Sequence, residues 1–175
     1  MGFDCDRQAK NDFTASTYAY LTTMYPKYNV KYYEADEDGD LVPYGTWQAS
    51  ITAPVDVYIE LYNDTTDIMY SVEIKERWGN YTSTSYGNPG QEGWMYNPPK
   101  DEKLQRERKE GRIPLFCNLY PDGLLTIWRV DNVNREDIIE KDIRKINIDP
   151  NSRTYKQKRY QLWNKDGKTI KRIRG

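Results

Sequence analysis

The sequence predicts an α+β (α/β) fold, with a central mixed β-sheet flanked by helices and a basic C-terminal β-hairpin. Three observations predict it. Apolar and polar residues alternate along 55–61 and 68–77, which is the period of a strand. Three segments, 5–24, 98–110 and 135–146, carry helix signals. Turn signals at 36–40, 63–67 and 121–123 cut the remainder into short strands.

Taken in order, residues 5–24 place Ala9, Phe13, Tyr20, Leu21 and Met24 near one helical face, and Pro26 closes the helix. Val30–Ala35 reads as a strand. Asp36-Glu-Asp-Gly-Asp40 turns the chain at Asp38-Gly39; it lacks the spacing and distal Glu of an EF-hand. Residues 46–53 are expected to form a further strand. In 55–61, Val55, Val57, Ile59 and Leu61 share one face, with Asp56, Tyr58 and Glu60 on the other. In 68–77, Ile68, Tyr70, Val72 and Ile74 oppose Met69, Ser71, Glu73, Lys75 and Arg77.

Residues 79–97 form a long loop rich in Gly, Asn, Ser, Thr and Tyr, of the length that tends to be functional. Pro98-Pro99 opens a very polar helix with Leu104 as its apolar residue, Glu102–Arg106 support, and Gly111 at its end. Ile113–Leu119 and Leu124–Val130 form a hairpin around Pro121-Asp-Gly123. Asn134 is expected to cap a helix from Arg135 to Ile146, with Ile139, Ile143 and Ile146 facing the core. Arg153–Asn164 and Lys168–Ile173 read as a basic hairpin around Asp166-Gly167.

A chain of 175 residues suits an α/β core over 1–150, with the basic hairpin or tail of 151–175 packed on it or extending from it. Hydrophobic residues make up 37% and charged residues 30%, so the core is modest; 16 Tyr and 5 Trp supply much of its bulk and also suit base stacking. Histidine is absent, which excludes Ser-His-Asp hydrolysis, His-ligated zinc and histidine general bases. Cys5 and Cys117 have neither metal spacing nor a disulfide framework, and no apolar stretch is long enough for a membrane helix. A reduced cytoplasmic setting with no membrane contact is expected. Residues 151–175 hold nine Lys/Arg against Asp166, which leaves −9 on residues 1–150 of a chain whose net charge is −1. That asymmetry, with Tyr155, Tyr160 and Trp163 interleaved, points to nucleic acid as a partner through Lys156, Lys158 and Arg159.

One constellation carries chemistry. Asp56 lies on the polar face of its strand, and Glu73-Ile74-Lys75 follows after sixteen residues. Period two puts Glu73 and Lys75 on one face, about 6.6 Å apart along the strand. In a hairpin, Asp56, Glu73 and Lys75 converge at the end away from the turn. Two carboxylates and a lysine suit phosphodiester hydrolysis with bound Mg²⁺ or Mn²⁺.

Pro54-Val55-Asp56 and Glu73-Ile74-Lys75, in the order helix, strands, Asp strand, Glu-x-Lys strand, helix, strand, resemble the PD-(D/E)XK nuclease superfamily over about residues 5–130. Val55 separates Pro54 from Asp56, so Asp56 is the matching acid. The resemblance implies a restriction-endonuclease-like fold and a Mg²⁺-dependent nuclease acting on DNA. Asp56 and Glu73, with the Ile74 carbonyl, would ligate the metal, and Lys75 would orient the attacking water. Asp12 of the first helix would join if that helix faces the site, and Lys103, Gln105 or Arg106 would contact the phosphate. A homodimer is compatible with it, since nucleases that cut both strands often pair. Two other classes fit the composition: a non-catalytic nucleic-acid- or protein-binding module, and a phage structural or assembly protein.

Overall fold

A computed structural model describes residues 3–50, 52–132, 138–144 and 154–175, with side chains for 6–50, 52–131 and 158–175. The molecule is mixed α+β. A seven-stranded mixed sheet runs in the order β10-β7-β6-β4-β3-β1-β2, and a three-stranded sheet in the order β5-β9-β8.

Helix α1 (Phe3–Met24) leads into β1 (Asn29–Ala35) and β2 (Leu41–Pro43). The turn between these strands is built on Asp36, whose Oδ1 accepts from the Asp38 and Asp40 amides at 2.9 Å each. Strands β3 (Val57–Tyr62) and β4 (Asp67–Glu76) pair antiparallel in the register Val57↔Val72 to Tyr62↔Asp67. Asn63 closes their turn by accepting the Thr65 and Thr66 amides.

The chain then crosses through β5 (Trp94–Tyr96) and helix α2 (Pro98–Lys109) to β6 (Ile113–Leu119), which lies parallel to β4. Asn97 caps α2 by accepting the Lys100 amide at 2.9 Å, with Pro at the first helical positions where no amide donor is needed. β6 pairs antiparallel with β7 (Leu124–Arg129).

Both faces of the large sheet are covered. On one, Ala9 and Phe13 of α1 pack on Val57, Ile59, Val72, Cys117, Leu119 and Leu125. On the other, Leu104 of α2 and Trp94, Tyr96 and Leu162 of the small sheet pack on Tyr58, Phe116 and Trp128. The alternation along β3 and β4 therefore separates two cores rather than a core from water. Tyr58, Ser71 and Glu73 are all buried on the face that reads as polar. Val55 precedes the strand and packs with the second core, not with Val57.

Three expectations are corrected. The described part of 46–53, residues 46–50 and 52–53, holds turns and irregular chain rather than a strand: β2 stops at Pro43, which has no amide to continue a ladder, and Trp47 is 99% exposed. Within 135–146, residues Ile138–Arg144 are a strand, β8, and the rest of that span lies outside the described residues. β8 pairs along its whole length with β9 (Thr154–Leu162). Ile139 and Ile143 are four apart, a spacing that satisfies period two as well as a helix, and β-branched residues favour the strand. Lastly, the basic C-terminal segment is not a hairpin. β9 joins β5 and β8 in the small sheet, whereas β10 (Lys168–Lys171) pairs with β7 at the edge of the large one. Gly167 makes this divergence sterically possible, since a Cβ there would lie 2.7 Å from both the Trp128 indole nitrogen and the Thr126 methyl.

Candidate functional site

Asp56 sits one position before the first β3–β4 pair. Its amide donates to the Val72 carbonyl at 3.0 Å, and its carboxylate accepts the Ile74 amide at 2.7 Å. The side chain thus takes the place of the strand carbonyl that β3 does not supply, and it is aimed beside Glu73. Both hydrogen-bonding groups of a strand residue point to the same neighbour, so the Ile74 carbonyl also faces this side. Glu73 projects from β4 onto the α2 side, where the Lys100 ammonium of the first helical turn pairs with it. Lys75, two residues on, is exposed on the same face.

Asp56, Glu73, Ile74 and Lys75 all line one cleft of about 500 Å³. The spacing in the sequence therefore corresponds to a shared site. Lys10, Lys75, Arg77, Lys100 and Arg159 line the same cleft with Asp6 and Glu76. Five cations against four carboxylates give a wall that accommodates a polyanion once a further cation is present.

The electrostatics of the two acids agree with that. Burial, reinforced by the charge on Asp56, pushes Glu73 up to about 7 despite the pull of Lys100. Burial also raises Asp56, against the Ile74 amide that favours its ionised form. Two neighbouring carboxylates, Glu73 buried and Asp56 half-buried, compete for too little positive charge. This donor set fits a hard divalent cation: two carboxylates plus a carbonyl on the same side. The other acidic cluster, Asp36, Asp38 and Asp40, is a turn motif at the surface whose Asp36 carboxylate already accepts the Asp38 and Asp40 amides.

Other candidates fall elsewhere. Asp12 does not face the cleft: it is fully buried and held by Arg172 at 2.8 Å, Arg174 at 2.9 Å and the Gly175 amide at 3.0 Å. Asp6, six residues earlier on α1, lines the cleft instead. Lys103 and Arg106 are exposed on the outer face of α2, and Gln105 lies 3.4 Å from Asp101. The helix turns Asp101, Leu104 and Glu107 inward, so its reach into the cleft is through Lys100. Lys158 is exposed, Arg159 lines the cleft, and the Lys156 side chain lies outside the described residues. The Arg159 Nη1 is buried with no hydrogen-bond partner among the described residues.

Sequence reasoning missed Lys100, Lys10 and Asp6. A signal for Lys100 was present: a lysine in the first turn of a helix opposes the macrodipole, which asks for a local compensating acid. Lys10 follows Asp6 by four residues, the spacing that puts both on one helical face.

No family model matches the chain, and neither a curated protein nor a solved structure does. Among the described residues no helix is long and apolar enough to cross a membrane.

Proposed function

We propose that this chain is a metal-dependent nuclease that hydrolyses phosphodiester bonds in DNA, built on a restriction-endonuclease-like core of the PD-(D/E)XK kind. The observation that carries the reading is the Asp56 carboxylate held by the Ile74 amide, between Glu73 and Lys75 on one cleft. The order of elements supports it: helix α1, the antiparallel strands β1 to β4, the short β5, helix α2, and β6 parallel to β4.

Asp56 and Glu73, with the Ile74 carbonyl, would hold Mg²⁺ or Mn²⁺. Such an ion neutralises charge on a phosphate and lowers the pKa of water. Lys75 orients the attacking water and offsets charge as it develops on the phosphoryl oxygens. Arg159 and Lys100 would hold the phosphate, Lys100 exchanging its pairing with Glu73 for the phosphoryl oxygens. Water attacks phosphorus and gives up a proton to solvent, the P–O bond to the leaving sugar oxygen breaks, and that oxygen takes a proton from solvent.

The test is cleavage of supercoiled plasmid and of single-stranded DNA with and without Mg²⁺ or Mn²⁺. Cleavage that needs the metal and falls about 10²–10³-fold or more in Glu73→Ala and in Lys75→Ala supports the reading. Cleavage that both variants retain overturns it.

The Lys100–Glu73 pair favours a second reading, in which the acids are structural and the basic cleft merely binds nucleic acid. DNA binding with no cleavage under any divalent metal would select it.

A further inference from the structure

The segment between β4 and β5 builds a second cavity, of about 290 Å³, walled by Trp78, Tyr81, Tyr86 and Trp94. Lys75, Glu76, Arg77 and Met95 line this cavity and the candidate catalytic cleft alike, so the two adjoin. One end of the combined groove is cationic and the other aromatic.

The aromatic end is preformed. Trp94 is buried, with Tyr86 edge-on to it at 5.3 Å and Tyr120 behind it at 5.1 Å. Tyr81 lies 5.6 Å from Tyr86, and the Arg77 guanidinium lies 5.2 Å over Trp94. The loop that carries these rings is pinned at several points. The Asn164 amide donates to the Ser83 and Tyr86 carbonyls at 2.9 Å each, and the Asp122 carboxylate accepts the Ser83 amide at 2.9 Å. Even so, Trp78 is 49% and Tyr81 48% exposed. Large rings left open on a pinned loop, beside cations that suit a phosphate, form a stacking surface with little ordering cost on binding.

We propose that this pocket takes one unstacked base of a single DNA strand whose backbone crosses the cleft at Lys75 and Arg77, so that the substrate is single-stranded at the site. A base within a duplex reaches such a pocket only by leaving its stack. The position of the scissile phosphate in this proposal rests on the nuclease reading; the stacking itself does not.

The test measures binding in EDTA, where no metal-dependent cleavage occurs. A fluorescent single strand of about 15 nucleotides is compared with a duplex of the same length by anisotropy. The strand is expected to bind at least about tenfold more tightly, and Trp78→Ala and Tyr81→Ala each to weaken it roughly five- to a hundredfold. Trp78→Phe, which keeps a ring, retains most of the affinity, and a strand of abasic residues binds the native protein as weakly as intact strand binds Trp78→Ala. Equal affinity for duplex and strand, or strand binding unmoved by both alanine variants, overturns the proposal. The two readings fail separately. Plasmid cleavage lost in Glu73→Gln but untouched in Trp78→Ala and Tyr81→Ala removes the pocket and leaves the nuclease. Ring-dependent strand binding with no cleavage in any metal removes the nuclease and leaves the pocket.

Discussion

The Ile74 amide donates to the Asp56 carboxylate at 2.7 Å across eighteen residues of sequence. That bond fixes an acid just ahead of β3 against the C-terminal part of the Glu-x-Lys strand. It also leaves the half-buried Asp56 beside the buried Glu73, with Lys100 paired to Glu73. The pair is costly to the fold while nothing else neutralises it.

Metal should therefore stabilise the protein. At a Mg²⁺ or Mn²⁺ concentration of 100 Kd, linkage adds about 2.7 kcal/mol. For a chain of this size that raises Tm by roughly 5–10 °C. Glu73→Gln and Asp56→Asn are expected to lose this response, and Glu73→Gln to melt no lower than the native protein without metal. Differential scanning fluorimetry of the three proteins, each with and without metal, reads all six values. An equal metal response in Glu73→Gln would show that the ion binds elsewhere.

Arg172 ties α1, β4 and the chain after β6 together. It is buried, donates to Asp12 at 2.8 and 3.0 Å, to Glu76 at 2.8 and 3.0 Å and to the Tyr120 carbonyl at 3.0 Å. Arg172→Met leaves a fully buried Asp12 short of its main counter-charge, at a cost of about 3–5 kcal/mol. Urea unfolding measures it; a loss below about 1 kcal/mol would mean that Arg174 alone suffices.

Acid should weaken the fold through Asp12 and Glu34. Burial works to raise both, but is outweighed at Asp12 by the Gly175 amide and Arg172, and at Glu34 by Arg7 and Lys10, so both are held below their usual values. A depressed folded value means that the stabilisation is complete above the unfolded value, near 4, and is lost as pH falls through the folded one. The urea midpoint should thus drop between pH 5 and about pH 3, and drop less in Glu34→Gln. The same drop in Glu34→Gln as in the native protein would assign the acid sensitivity to other groups.

Gly87 supports the aromatic loop. Its φ is +82°, and a Cβ there would meet the Asn164 Oδ1 at 2.7 Å and the Trp94 Cδ1 at 2.9 Å. Gly87→Ala is expected to cost more than about 1 kcal/mol. It should also alter the near-ultraviolet circular dichroism of the tryptophans, which Asn164→Ala should reproduce by freeing the loop carbonyls. An unchanged spectrum in both would show that the rings are placed without this contact.

What the sequence made legible was local. Strict alternation in β3 and β4 gave the strands, their turn and the side on which Asp56, Glu73 and Lys75 gather. Asn97-Pro98-Pro99 and Pro121-Asp-Gly123 gave the start of α2 and the β6–β7 turn. What alternation does not encode is what covers each face. Ser71 and Glu73 read as wet positions because nothing nearby in sequence announces that α2 and a second sheet lie over them. The same limit explains the C-terminal segment: β9 and β10 each have strand character, but their partners lie far away in the chain. Lys100 was hidden for a related reason, since its acid lies on another element.

The tie between Asp12 and Arg172 spans 160 residues. During synthesis α1 emerges first, carrying an acid whose counter-ion has yet to be made. Docking of that helix stays incomplete until the last strand has paired with β7 and delivered Arg172 beneath it. The counter-ion of α1 thus arrives only with β10, and a chain shortened ahead of β10 is a core without its counter-ion rather than a core without a tail.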